Sequence, residues 1–146
     1  MRTDIKKISE GEEYIAIRYK SLTPELNRII GIIEGVENTL WGKDGQEAVS
    51  FKKSDILYIE SVDDKLFAYT KGKVLRIEGT LNSFMIDIDD GSFFRCSKSM
   101  VINVNRVKAL KSLSSNRIDA TMEGDEHIII SRRYASDFRR LLKGDR

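Results

Sequence analysis

A chain of 146 residues has room for one hydrophobic core, and its 40% hydrophobic and 33% charged residues, with a single Pro, exclude a disordered chain. It lacks the ~18-residue apolar run of a membrane span, the apolar stretch of a signal peptide and the second cysteine of an intrachain disulfide, which together predict a cytoplasmic protein. The net charge of +2 divides at Gly91 into 13 Lys+Arg against 17 Asp+Glu up to it and 12 against 6 after it, balances of −4 and +6 that direct a polyanion-facing surface to the C-terminal half.

The first predicted element is a short strand, EYIAIRY (residues 13–19), with Ile15 and Ile17 on one face. A helix follows with a clear start signal: Thr23 as N-cap, Pro24 at the first helical position and Glu25 in the first turn. Leu26, Ile29, Ile30 and Ile33 fall on one face of it, and Gly35 can end it. This stripe must cover the chain's own sheet, a second copy or a regulatory partner. Residues 1–40 are therefore expected to form a strand–helix unit for assembly or regulation, leaving 41–146 as the main domain.

From Thr39 the pattern turns to short strands. TLW and EAVSF flank the turn GKDGQ, DILYIESV reads as a central strand, and LFAYT and VLRIE flank the hairpin turn Lys71-Gly72. Leu81, Phe84, Met85 and Ile88 predict a second short helix, closed by Asp89-Asp90-Gly91. RIDATM and HIIIS make a hairpin around Glu123-Gly124-Asp125. A last helix starts at Ser131 and presents Tyr134, Phe138, Leu141 and Leu142 on one face. The expected class is mostly β with flanking helices (α+β).

Between those last elements lies FFRCSKSMVINVNRV (residues 93–107), in which a basic, hydroxyl-rich knot interrupts two apolar runs. A plain turn would carry Gly, Asp or Pro instead. Ser97, Lys98 and Ser99 supply the short donors and long cation that phosphate and base-edge contacts use, while Phe93, Phe94, Met100, Ile102 and Val104 can anchor the loop. Asn103, Asn105 and Arg106 add amides and a charge, although the two Asn serve equally well as turn-makers.

The start of the last helix breaks a local rule. Ser131-Arg132-Arg133 puts two cations where the helix carries partial positive charge. A bound phosphate would compensate, as would an acid elsewhere in the fold. Catalytic and metal chemistry find little support. His127 is the only histidine, Cys96 lies 31 positions away, and the calcium-loop likeness of Asp87-Ile-Asp-Asp-Gly fails because its glycine comes one residue early and no closing Glu follows. Neither a cofactor nor a metal is expected.

These stretches resemble one known family. From about Val49 to Leu142 the chain is similar to the LytTR DNA-binding domain of bacterial response regulators and stand-alone transcription factors, through DILYIES, FFRCSKSMVINVNRVKAL and HIIISRRYASDFRRLL. The family pattern Phe-x-Arg-x-His-basic-Ser, an apolar pair and Asn is met by Phe93, Arg95, Lys98, Ser99, Val101, Ile102 and Asn103, with Ser97 where His is usual. Its Ser-Arg-Arg-Tyr is met by Ser131, Arg132, Arg133 and Tyr134.

The resemblance implies an elongated, mostly antiparallel β fold that reads duplex DNA with loops. It adds Asp64 and Lys65 to the expected contact set, which already holds Arg95, Ser97, Lys98, Ser99, Asn103, Asn105, Arg132 and Arg133. It also implies a bacterial transcription regulator that binds paired DNA repeats as a homodimer. Residues 1–40 do not look like a receiver domain. That points to the stand-alone class, whose members are often restrained by a small membrane protein. The competing reading is an interaction module whose basic face docks on an acidic protein or on anionic lipid.

Overall fold

In the computed structural model, which describes residues 2–34, 39–87 and 91–144, the first element is α1 (Pro24–Glu34). Five strands follow: β1 (Thr39–Asp44), β2 (Glu47–Lys52), β3 (Ile56–Val62), β4 (Lys65–Thr70) and β5 (Lys73–Ile77). After α2 (Leu81–Asp87) come β6 (Phe93–Arg95), β7 (Met100–Asn103), β8 (Val107–Leu113), β9 (Arg117–Met122), β10 (His127–Ile130) and α3 (Arg132–Leu142). Strands β1 to β7 form one antiparallel sheet in the order β2-β1-β5-β4-β3-β7-β6, and β8 to β10 form a second in the order β10-β9-β8.

Strand β3 explains why its sequence is apolar without alternation: both of its faces are covered. Ile56 and Ile59 enter a core with Phe51, Leu66, Leu75, Leu81 and Phe84, so α2 covers that side. Leu57 and Tyr58 enter a second core with Ile102 of β7, with Ile118, Met122 and Ile130 of the smaller sheet and with Phe138 of α3. Strict alternation would split Leu57 from Tyr58. A register shift against β4 between Ile56 and Tyr58 lets both point the same way. Tyr58 then stacks on Tyr69, with ring centroids 4.3 Å apart.

The hairpin turns follow the expected chemistry. Gly72, at φ +84°, closes β4–β5, and Asp125, at φ +69°, lies in the β9–β10 connection. The β1–β2 turn is tighter than expected. Asp44 pairs with Glu47, leaving only Gly45-Gln46 between the strands.

One expectation fails. Residues 13–19 form no strand: their alternation is present but no edge pairs with them, and a lone strand has no stability of its own. The helix after them starts as expected, with Leu26 N–H donating to Thr23 Oγ1 at 3.2 Å. Its stripe is only half covered, because Leu26 is buried and Ile30 half-buried while Ile29 and Ile33 are exposed. Gly35, Ile88, Asp89 and Asp90 lie outside the described residues.

Cys96, between Arg95 and Ser97 in the knot, is fully buried, and burial pushes its pKa from 9.0 to about 12, against weaker pulls from its backbone hydrogen bond and Arg95. The folded state thus holds a proton that the unfolded chain releases near pH 9. Stability is full below that pH and falls as pH rises towards 12. Between about pH 9 and 10.5 this one group should remove about 2 kcal/mol. Urea unfolding across that range measures the fall, and Cys96→Ala should flatten it. An unchanged slope in the variant would assign the whole effect to other groups, such as Tyr58, which burial also raises to about 12.

Candidate nucleic-acid interface

The knot at Cys96–Ser99 is the turn of the β6–β7 hairpin, in which Arg95 pairs with Val101 and Phe93 with Asn103. Its flanks are fastened to both cores. Phe93 packs edge-on to Phe84 at 5.0 Å, and Phe94 packs edge-on to Phe138 at 5.1 Å. Inside the turn, Cys96 N–H donates to Met100 O at 3.0 Å, and Ser99 N–H donates to Ser97 Oγ at 3.3 Å.

Arg95 acts on the loop itself. Its guanidinium donates to Ser97 O at 3.1 Å, to Lys98 O, and to Asn82 Oδ1 on α2 at 2.6 Å. A planar fork with all three of its nitrogens engaged is a brace. The side chains it leaves facing solvent are those of Lys98 and Ser99, with Ser97 half-buried.

Two backbone hydrogen bonds join this loop to its neighbours. Ser61 N–H donates to Ser99 O at 2.8 Å, which ties the end of β3 to the knot. Just beyond Ser61, Asp63 and Asp64 make the two-residue turn into Lys65, both with left-handed φ (51° and 61°), as the tightest hairpins require. Asp64 and Lys98 line one concavity of about 250 Å³ together with Thr80, Asn82 and Arg95. On the other side, Ser131 N–H donates to Cys96 O at 2.9 Å, which fixes the start of α3 against the knot.

The β3–β4 turn with Asp64 and Lys65, the knot with Ser97, Lys98 and Ser99, and the start of α3 with Arg132 and Arg133 are therefore neighbours joined through the knot. Among the described residues neither Arg132 nor Arg133 has a carboxylate partner, so no acid among them offsets the two cations at the helix start. Arg133 instead lies 5.5 Å from the centroid of the Tyr134 ring. Ser131 has the extended backbone of an N-cap, but its hydroxyl makes no capping bond.

Two expected contact residues are elsewhere. Asn103 is 2% exposed; its amide donates to Ile56 O at 2.9 Å and accepts from Asn105 N–H at 3.1 Å. Both ends of the amide are held inside the fold, so it is a corner-former and not a base contact. Asn105 is exposed but sits with Ser92 and Arg106 at the far end of the β6–β7 hairpin from the knot. Arg106 is engaged there by Ser54 O and Glu123. His127 pairs with Asp119 at 3.0 Å on the exposed face of β10.

The sequence reading missed Thr80 and Asn82, which bring the start of α2 to the concavity lined by Asp64 and Lys98. One signal was available: Thr80-x-x-Ser83 caps the helix reciprocally, Thr80 N–H to Ser83 Oγ at 2.8 Å and Ser83 N–H to Thr80 Oγ1 at 3.1 Å.

Comparison with known proteins bears on the family and the fold. Residues 46–143 match the family model described as the LytTr DNA-binding domain. The LytTr DNA-binding domain of a methyl-accepting/DNA response regulator from Bacillus cereus superposes with a TM-score of 0.68 at 27% identity, covering 72% of this chain and 96% of that one. The transcriptional regulatory protein YpdB of Escherichia coli K12 is 24% identical over 90 residues, and that of Shigella flexneri is equally similar. The aligned part spans 61% of this chain but only 37% of those relatives.

Proposed function

The chain belongs to the LytTr DNA-binding domain family, and from that premise we propose that it is a cytoplasmic regulator of transcription that reads a specific duplex sequence with three adjacent loops. One observation carries this reading. The β3–β4 turn, the donor-rich knot and the start of α3 are joined by main-chain hydrogen bonds, and among the described residues Arg132 and Arg133 have no carboxylate partner.

The loops divide the work by chemistry. Lys98 and Arg133 are long cations able to reach guanine edges in the major groove; Ser97 and Ser99 are short donors for phosphate or base. Asp64, an acid beside a polyanion, is repelled by phosphate and is useful only where a base amino group donates to it, which makes it a discriminator of cytosine. Arg132, beside the open N–H groups at the start of α3, suits a phosphate oxygen. Arg95 touches no DNA and positions Ser97 and Lys98 through their carbonyls.

A selection of bound sequences from random duplex DNA supplies the cognate site, and a salt titration on that site tests the reading. Log affinity should fall linearly with log salt, by roughly 0.9 per phosphate contacted, and Arg132→Ala should reduce that slope by about 1. Tight binding to heparin or to acidic liposomes, with no duplex sequence preferred, would instead support docking on an acidic protein or lipid.

A further inference from the structure

Nine of the sixteen large hydrophobic side chains exposed among the described residues fall between Ile5 and Ile33. Ile15 is 74% exposed, on a segment with strand alternation and no strand partner. Close behind it, α1 leaves Ile29, Ile32 and Ile33 in solvent. A soluble domain does not leave so dense an apolar surface open without a use for it.

The segment names its own partner by its charge order. Glu12-Glu13-Tyr14-Ile15-Ala16-Ile17-Arg18-Tyr19-Lys20 has acids at one end, bases at the other and a small residue at the centre. We propose that it pairs antiparallel with the same segment of a second copy, about a twofold axis at Ala16. In that register Ile15 faces Ile17 of the second copy, Tyr14 faces Arg18, Glu13 faces Tyr19 and Glu12 faces Lys20, each pair occurring twice by symmetry. All four isoleucines then share one face of the two-stranded ribbon. The α1 helix of each copy can cover that face with its exposed isoleucines, giving two layers.

Neighbouring registers are worse. A shift by one residue mixes the two faces, because the side-chain period is two. A shift that centres the pair on Ile15 sets Glu13 against Ile17, and one that centres it on Ile17 removes the Glu12–Lys20 pair. The pairing is separate from the DNA contacts, which all lie beyond Val62, so it can fail while the DNA reading stands.

Charge reversal in the full-length chain tests the register. Sedimentation equilibrium should show a dimer for the wild type at about 100 µM. Glu12→Lys and Lys20→Glu should each raise the dimer dissociation constant at least about tenfold, since each reversal sets like charges opposite one another twice. The double variant should return to near the wild-type value. A wild-type monomer, or a double variant as weak as the singles, would overturn the proposal. Mild oxidation gives an independent reading, because the native Cys96 is buried and silent. Ala16→Cys should yield a covalent dimer. Tyr14→Cys should not, since its two copies would lie about 13 Å apart along the ribbon. Equal yields from the two would refute an axis at Ala16.

Discussion

Phe138→Ala is expected to lower the free energy of unfolding by about 3–5 kcal/mol. The ring is fully buried where the knot-bearing hairpin, the smaller sheet and α3 meet, and it takes the edge of Phe94 at 5.1 Å. Truncation would leave a ring-sized cavity among Leu57, Ile102, Met122 and Ile130, residues held by two sheets that cannot close over it. A domain of this size has only about 5–15 kcal/mol to lose, so the variant should be marginal. The consequence reaches the proposed DNA contacts. An 11-residue helix has little stability alone, and α3 is seated chiefly by Phe138 and Ala135. Freed at that point, it would carry Arg132 and Arg133 away from the knot. Urea unfolding of the variant beside Leu142→Ala, whose side chain is half exposed, measures the effect. Leu142→Ala should lie within about 1 kcal/mol of wild type. A similarly small loss for Phe138→Ala would mean that α3 is held by something other than this ring.

What could be read in the sequence was whatever burial writes into it directly. The strand β3 was legible because a run covered on both faces needs no polar residue, and α3 because its apolar period and its odd arginines coincide. Strand β8 was not legible. As an edge strand beside β9, nearly all of its residues are exposed, so VKALKSL carries neither alternation nor an apolar run and is placed only by its partner. Asn103 and Arg95 show a second limit. An amide or guanidinium has the same chemistry whether it faces DNA or its own backbone, and only the fold revealed Ile56 O and the knot carbonyls as their partners. Asn82 went unseen for the converse reason. It acts on the knot from 13 residues away in the chain, and no spacing in the sequence signals that meeting.

Lys98→Ala and Arg133→Ala should each cost about 1–3 kcal/mol on the cognate duplex, roughly five- to 150-fold in affinity, and each should relax base preference at its own position. Their loops are joined through Ser131 N–H and Cys96 O, yet each side chain stands on its own element and neither braces the other. The double variant should therefore lose close to the sum, on the order of 2–6 kcal/mol. Arg139→Ala is the matched control. It removes an equal charge from α3, but its guanidinium is held by Asn116 at the β8–β9 turn, so it should cost little, or act alike on every sequence. Titrations on cognate and scrambled duplexes at fixed salt separate the cases. Base readers lose affinity on the cognate duplex alone, whereas phosphate contacts lose it on both. Equal losses on both duplexes for Arg133→Ala would move that arginine to the backbone and leave Lys98, with Ser97 and Ser99, to carry the sequence reading from the knot.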